Sequence, residues 1–152
     1  MSYKSILSKL KKIKLLVLDC DGVLTDGSIL VDNQGNQLKK FNVKDGLGIK
    51  LLQKYDIKIA LITGSNSEAI IKRAESLGIE IVRRGIKDKM DALMKIQDEL
   101  KIYEKETVFL GDDINDLIVL PLVSLFIVPS NAHYGCKIKA HFVSQLKGGE
   151  GF

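Results

Sequence analysis

Two aspartates, Asp19 and Asp21, stand two positions apart directly after the apolar run Leu15–Leu18. Gly22 follows them and indicates a turn, so both carboxylates are predicted to lie where a buried strand ends. In open α/β sheets, ligands bind outside the carboxyl ends of the strands, and helix N-termini there attract anions. A carboxylate at such a place can attack phosphorus as a nucleophile. The segment therefore predicts phosphoryl chemistry.

Three further segments carry groups that phosphoryl transfer requires, and each is predicted to lie at the end of a strand or just after it. They are Thr63-Gly64, Lys89 and the run 111–116, which reads Gly-Asp-Asp-Ile-Asn-Asp. The carboxyl ends of parallel strands meet at one edge of a sheet, so we expect these segments to form a single site with Asp19.

The residue types suggest distinct roles. Asp19 is the predicted nucleophile, and hydrolysis is expected to pass through an aspartyl-phosphate. Asp21 is predicted to protonate the leaving alkoxide and later to accept a proton from the hydrolytic water. Thr63 and the backbone amides from Gly64 onward are predicted to bind the transferring oxygens, and Lys89 to neutralise charge as it develops.

Magnesium is the predicted cofactor, because a carboxylate nucleophile must approach a phosphate that is itself negatively charged. Mg²⁺ prefers octahedral oxygen coordination and keeps several waters, so two or three protein oxygens are enough. The predicted ligands are Asp19, the backbone carbonyl of Asp21, and Asp112. Asp113 and Asp116 are expected to orient the site rather than to bind the metal.

Cys20 lies between the two aspartates and could itself be the nucleophile of a Cys-dependent phosphatase. Such enzymes need an Arg that closes the phosphate-binding loop, and residues 21–26 contain none. Cys20 is therefore predicted to fill space beside the site.

Apolar, β-branched runs alternate with segments of helical period, which predicts a parallel sheet with crossover helices. The expected fold is a Rossmann-like α/β domain. Its predicted strands cover 14–19, 58–63, 80–83, 107–111, 124–128 and 141–143. Its predicted helices cover 45–55, 67–77, 89–100 and 115–120, with Ser67 as a candidate N-cap and Gly78 as a C-cap.

One insertion, at about 28–43, interrupts the alternation. Apolar residues flank the polar turn 32–36, a pattern that predicts a β-hairpin. The insertion is too small to be a second domain, so residues 1–152 are expected to form a single domain whose active site lacks a substantial lid. An exposed hairpin with apolar residues is also a candidate subunit contact.

The composition fits an ordinary globular protein. The chain has 152 residues, 45% of them hydrophobic and 28% charged, and its net charge of +4 gives no reason to expect a nucleic-acid partner. No apolar run approaches the roughly 20 residues of a membrane span, so no membrane partner is expected. Two cysteines are too few for a disulfide framework, which predicts a reducing, cytoplasmic location.

The four segments together resemble the four motifs of the haloacid dehalogenase superfamily of phosphohydrolases. More narrowly, the run 19–27, the small hairpin in place of a cap domain, the run 41–50 (Phe-Asn-Val-Lys-Asp-Gly-Leu-Gly-Ile-Lys), Asp88-Lys89 and the Gly-Gly-Glu-Gly of 148–151 resemble the 3-deoxy-D-manno-octulosonate 8-phosphate phosphatase family. That family serves lipopolysaccharide biosynthesis. The substrate that this resemblance implies is a small phosphorylated acidic sugar.

The same resemblance implies a Mg²⁺-dependent homotetramer in which hairpins pack together and each active site is completed by a neighbouring subunit. It also implies that five residues lie near the sugar, with Arg73 a candidate for binding its carboxylate bidentately. These residues are Asn42, Asp45, Gly46, Lys50 and Arg73.

Some alternatives stay open at this point. Ser65 stands where the family usually has Arg, so a nonulosonate 9-phosphate is a second candidate substrate, and Arg84 is a candidate replacement cation. The tail 148–152 either reaches a neighbour's site or is frayed. A phosphate-accepting receiver domain would carry its acceptor on a middle strand, and a catalytically silent oligomerisation module would not need intact Asp19, Asp21, Lys89 and Asp112.

Overall fold

A six-stranded parallel sheet forms the centre of the computed structural model, which describes residues 3–152. Its strands are β1 (Leu15–Leu18), β4 (Lys58–Ile62), β5 (Ile81–Arg83), β6 (Thr107–Leu110), β7 (Leu125–Val128) and β8 (Phe142–Val143). They are ordered β5-β4-β1-β6-β7-β8. All six strands were predicted. Each observed strand end either agrees with the predicted one or differs from it by a single residue.

The central strands are continuous apolar runs because both faces of the sheet are covered. In β1, Leu16 and Leu18 point into one core, whereas Leu15 and Val17 point into the other. The first core is covered by α1 (Tyr3–Leu10), α2 (Val43–Lys54) and α3 (Glu68–Leu77). The second is covered by α4 (Lys89–Leu100), the 3₁₀ helix Ile114–Leu122 and α5 (Tyr134–Lys139).

Strand order reverses beside β1. The chain runs from β1 outward to β4 and β5 on one side, then returns to β6 and continues to β7 and β8 on the other. The crevice at such a switch point is where open α/β sheets bind ligands. Asp19 and Asp112, which follow β1 and β6, therefore flank this crevice.

The hairpin consists of β2 (Leu30–Val31) and β3 (Gln37–Leu38), which pair antiparallel. The paired strands are shorter than the predicted insertion of about 28–43, since β3 ends at Leu38. The Asn42 side chain accepts a hydrogen bond from the Lys44 backbone N–H and caps α2, which therefore starts at Val43 instead of Asp45.

Several helical features differ from the prediction. Residues Ile114–Leu122 form a 3₁₀ helix that contains Pro121, which cannot donate a backbone hydrogen bond. Helix α5 and the 3₁₀ turn Glu104–Glu106 were not predicted, because both are too short to show a helical period. Ser67 does precede α3, but its side chain makes no capping hydrogen bond, whereas Gly78 ends that helix as expected.

Within residues 3–152, no helix has both the length and the apolar character needed to cross a membrane.

Replacing Ile96 by Ala tests the core beneath α4. Ile96 is fully buried, so Ile96→Ala should lower the free energy of unfolding by about 2–5 kcal/mol, measured by urea denaturation. Ile138→Ala is the matched control, since Ile138 is 61% exposed on α5; it should change stability by no more than about 0.5 kcal/mol. Equal effects of the two variants would contradict the assigned core.

Candidate active site

A cavity of about 440 Å³ opens at the carboxyl edge of the sheet, beside the switch point. It brings together Asp19, Asp21, Thr63, Gly64, Lys89 and Asp112, the residues predicted to carry the chemistry. Its other lining residues are Gly27, Ile29, Gln37, Lys39, Ser65, Asp113 and Asn115.

The loop after β1 is a tight turn that presents both aspartates. The backbone N–H groups of Val23, Leu24 and Thr25 all lie within hydrogen-bonding distance of the Cys20 carbonyl. The Thr25 hydroxyl accepts hydrogen bonds from the Gly22 and Gly27 backbone N–H groups, at 3.3 Å each. The turn thus holds a fixed shape, with Asp19 buried at its base and Asp21 half-buried at the cavity wall.

Two glycines allow close approaches at the site, one between the loops after β1 and β6 and one within the loop after β6. Gly22 has φ +86°, and a Cβ atom there would lie 2.0 Å from Asp112 Oδ2. A Cβ atom at Gly111 would lie 2.6 Å from the Asp116 carboxyl. Real side chains do not tolerate such distances, so glycine at both positions is required for the carboxylates to converge.

Lys89 is buried at the first turn of α4 and links two carboxylates. Its Nζ lies 3.0 Å from Asp19 Oδ1 and 2.6 Å from Asp116 Oδ1. The other oxygen of Asp116 accepts hydrogen bonds from the backbone N–H groups of Asp112 and Asp113. Because both oxygens of Asp116 are occupied, this residue orients the acidic loop, in agreement with its predicted role.

Asp19, Asp112 and Asp116 offer oxygens that all lie within 4.8 Å of one another. Asp116 is engaged through both oxygens by Lys89 and two backbone N–H groups, whereas Lys89 contacts one oxygen of Asp19. Asp19 and Asp112 therefore stay the predicted metal ligands. A pair of hard oxygen donors facing an open cavity suits Mg²⁺, which keeps several waters. The donor set therefore fits the predicted cofactor.

The acidic residues hold their protons unusually tightly. Burial raises the pKa of Asp19 to about 6, although the nearby Lys89 ammonium opposes the shift. Burial also raises the pKa of Asp112 to about 7, with further contributions from the charges of Asp19, Asp116 and Asp113. A divalent cation bound between the two carboxylates would offset this repulsion and favour their ionised forms.

Thr63 is buried after β4, and its hydroxyl accepts a hydrogen bond from the Ser65 backbone N–H at 3.1 Å. Thr63, Gly64 and Ser65 line the same cavity as Lys89. Arg84, a candidate replacement for the absent Arg, instead pairs with Glu68 at the surface and does not line this cavity.

The Cys20 thiol is buried, and burial together with the charges of Asp21 and Asp19 raises its pKa to about 12. A thiol with such a pKa stays protonated at neutral pH and is a poor nucleophile. The structure thus agrees with a space-filling role.

The hairpin supplies site residues that sequence reasoning missed. Gln37 and Lys39 lie two positions apart and line the cavity, and Ile29 lines it from the preceding segment. The signal was present in the sequence, since positions two apart on a strand share a face. Lys39 Nζ lies 2.5 Å from Asp21 Oδ1.

The five residues predicted to lie near the sugar do not line this cavity within the described chain. Asn42 caps α2, and Arg73 donates a hydrogen bond to the Asn42 carbonyl while its guanidinium lies 5.6 Å from the centre of the Phe41 ring. Gly46 packs against Arg73, and Lys50 is exposed on α2. The contact of these residues with a sugar stays a prediction.

Asp45, the remaining member of this set, lies beside the end of the chain. Burial raises its pKa, while the backbone N–H groups of Gly151 and Phe152 oppose the shift. Its Oδ2 is buried and has no hydrogen-bond partner among the described residues.

The tail packs on its own chain and is not frayed; its reach into a neighbour's site stays a prediction. The Gly149 backbone N–H donates to the Val23 carbonyl at 2.9 Å, and the Asn42 side chain donates to the Gly149 carbonyl at 3.3 Å. At Gly148, a Cβ atom would lie 1.7 Å from the Gly22 carbonyl oxygen. The tail thereby supports the loop that carries the two aspartates.

Replacing Asp112 by Asn tests the electrostatic state of the site. The folded protein holds the Asp112 proton more tightly than the unfolded chain does. The free energy of unfolding therefore falls as the pH rises from about 4 towards about 7. At pH 8 in EDTA, Asp112→Asn should therefore raise the melting temperature by a few degrees, and it should abolish the further increase that Mg²⁺ gives the unmodified protein. Calorimetry with and without Mg²⁺ measures both effects.

Asp98→Asn, at an exposed position on α4, is the control and should leave both quantities unchanged. A full Mg²⁺ response in Asp112→Asn would contradict the assigned ligand.

Comparison with known proteins places this geometry in a family. The haloacid dehalogenase-like hydrolase model matches residues 66–151. The 3-deoxy-D-manno-octulosonate 8-phosphate phosphatase KdsC of Yersinia pestis is 38% identical over 146 residues, which are 96% of this chain and 78% of that protein. The corresponding Escherichia coli K12 protein is 36% identical over the same shares.

Solved structures agree. The crystal structure of the Yersinia pestis phosphatase has a TM-score of 0.94 and 38% identity, and the match covers 97% of this chain and 80% of that one. The Moraxella catarrhalis phosphatase, in complex with a magnesium ion, a phosphate ion and KDO, has a TM-score of 0.95 at 33% identity, covering 99% of this chain and 86% of that one. On sequence and structure, this chain belongs to the haloacid dehalogenase-like hydrolases.

Proposed function

We propose that this chain is a phosphoric monoester hydrolase that converts 3-deoxy-D-manno-octulosonate 8-phosphate to 3-deoxy-D-manno-octulosonate and phosphate, with Mg²⁺ as cofactor. The observation that carries this proposal is the close match, over nearly the whole chain, to a phosphatase that holds magnesium, phosphate and KDO together. The named relatives act on the eight-carbon sugar phosphate, which favours it over the nine-carbon alternative.

In the first step, a carboxylate oxygen of Asp19 attacks phosphorus and the bond from phosphorus to the sugar oxygen breaks. Asp21 gives a proton to the leaving alkoxide, and an aspartyl-phosphate remains. The buried Lys89 ammonium and the groups around Thr63 stabilise the negative charge on the transferring oxygens.

In the second step, the now ionised Asp21 takes a proton from water, and the oxygen of that water attacks phosphorus. The acyl-phosphate bond breaks, releasing phosphate and restoring the Asp19 carboxylate. Asp19, the Asp21 carbonyl and Asp112 would hold Mg²⁺, which would supply positive charge that offsets repulsion between carboxylate and phosphate. Because the acidic and basic groups are all present and converge, an active enzyme is favoured over a silent module.

We further propose a cytoplasmic homotetramer that serves lipopolysaccharide biosynthesis, with active sites completed by neighbouring subunits. Large apolar side chains are exposed on the hairpin, where Ile29 is 68%, Leu30 55% and Val31 60% accessible. An exposed apolar cluster of this kind favours a protein contact. Cys20 and Cys136 are both buried free thiols, which suits a reducing compartment.

Replacing Asp19 by Asn tests the mechanism. The amide is a poor nucleophile, so Asp19→Asn should lower Mg²⁺-dependent phosphate release at least about 1000-fold while the fold is retained. Activity is measured as phosphate released from 3-deoxy-D-manno-octulosonate 8-phosphate, and folding by circular dichroism. Asp98→Asn should keep activity within about twofold; undiminished turnover in Asp19→Asn would refute the nucleophile.

Replacing Leu30 by Lys tests the assembly. A charge in an apolar contact between hairpins would be desolvated without a partner, so Leu30→Lys should shift the protein from tetramer to smaller species in light scattering after size exclusion. Ile138→Lys, at an equally exposed apolar position on α5, should leave the tetramer intact. A monomeric unmodified protein would contradict the proposed assembly.

A further inference from the structure

Lys39 is an enclosed cation that none of the roles above requires. Its side chain is 5% exposed, although β3 itself lies at the surface, and its Nζ lies 2.5 Å from Asp21 Oδ1. A lysine side chain loses conformational freedom and hydration when it is enclosed in this way. Such a cost is offset where the ammonium makes a specific charged hydrogen bond, as it does here with Asp21.

The adjacent lysine shows what an ordinary position on this segment looks like. Lys40 is 69% exposed and forms a surface pair with Asp26 at 2.7 Å. Lys39 and Lys40 therefore point to opposite sides, one to the cavity and one to solvent. Of these two neighbouring lysines, Lys39 lies at the site and Lys40 does not.

Lys89 and Lys39 contact different carboxylates. Lys89 contacts Asp19 and Asp116, whereas Lys39 contacts Asp21. The other side-chain hydrogen bond to Asp21 in the described chain is the long one from the Thr25 hydroxyl, at 3.5 Å. The orientation of the Asp21 carboxyl group at the cavity wall thus depends mainly on Lys39.

We propose that Lys39 is a positioning residue of the phosphatase reaction, which holds the Asp21 carboxyl group in line for proton transfer to and from the reacting oxygens. This inference rests on the proposed function. The hairpin acquires a role in the chemistry of its own chain, in addition to any role in assembly. Proton transfer requires hydrogen-bond distances, and a displacement of about 1 Å can cost about 100-fold in rate, so one well-placed contact matters.

The test compares Lys39→Met, Lys39→Gln and Lys39→Arg with Lys40→Met as the matched control, using both 3-deoxy-D-manno-octulosonate 8-phosphate and 4-nitrophenyl phosphate. Lys39→Met and Lys39→Gln should lower kcat about 10- to 100-fold on both substrates with little change in KM. Lys39→Arg should recover most of the loss, and Lys40→Met should stay within about twofold. Melting temperatures identify any variant whose fold is impaired.

A double-mutant cycle shows whether Lys39 acts through Asp21. In the Asp21→Asn background, Lys39→Met should change kcat by less than about threefold, because the group that it positions is already disabled. An undiminished cost in that background would overturn the proposal. The proposal would also be overturned if the Lys39 variants only raised the KM for the sugar phosphate and left the kinetics with 4-nitrophenyl phosphate unchanged. The aryl phosphate has no carboxylate, so that result would mean that Lys39 binds the sugar.

The activity of the unmodified protein distinguishes a failure of the proposed function from a failure of the role proposed for Lys39. If it hydrolyses neither phosphate, the proposed function fails. If it is active and Lys39→Met and Lys39→Gln match it, only the role of Lys39 fails.

Discussion

Charge compensation at the carboxyl edge of the sheet is the constraint on which the rest of the site depends. Three carboxylates converge there, from Asp19, Asp112 and Asp116, in surroundings that exclude much of the water. Lys89 offsets part of their repulsion, while burial first, and the neighbouring carboxylates second, raise the pKa values of Asp19 and Asp112. The metal-free protein therefore holds an unfavourable electrostatic arrangement, and a divalent cation would relieve it while leaving Asp19 ionised for attack.

Backbone geometry makes this convergence possible. The switch in strand direction beside β1 places the ends of β1 and β6 side by side, and two apolar cores on opposite faces hold those strands rigidly. Gly22 and Gly111 then let the Asp112 and Asp116 side chains approach the backbone more closely than any Cβ would allow. The packed sheet and the two glycines thus bring like charges together against their mutual repulsion.

The loop that carries Asp19 and Asp21 is supported from outside the sheet as well. Lys39 reaches it from the hairpin, and Gly149 reaches it from the tail. Gly149 lies far from the loop in sequence, whereas the hairpin follows the loop directly and carries exposed apolar residues. Assembly of subunits through the hairpin would therefore act on the same loop that performs the chemistry.

The sequence by itself determined the six strands and the grouping of Asp19, Asp21, Thr63, Lys89 and Asp112, because continuous apolar runs specify parallel strands and parallel strands send their carboxyl ends to one edge. Short elements such as α5 escaped prediction because six residues show no period. Only the tertiary structure decided that Lys39 faces Asp21 and that the tail packs on the first loop. Such contacts join residues remote along the chain, and their partners are selected by packing and charge in three dimensions, which no local pattern encodes.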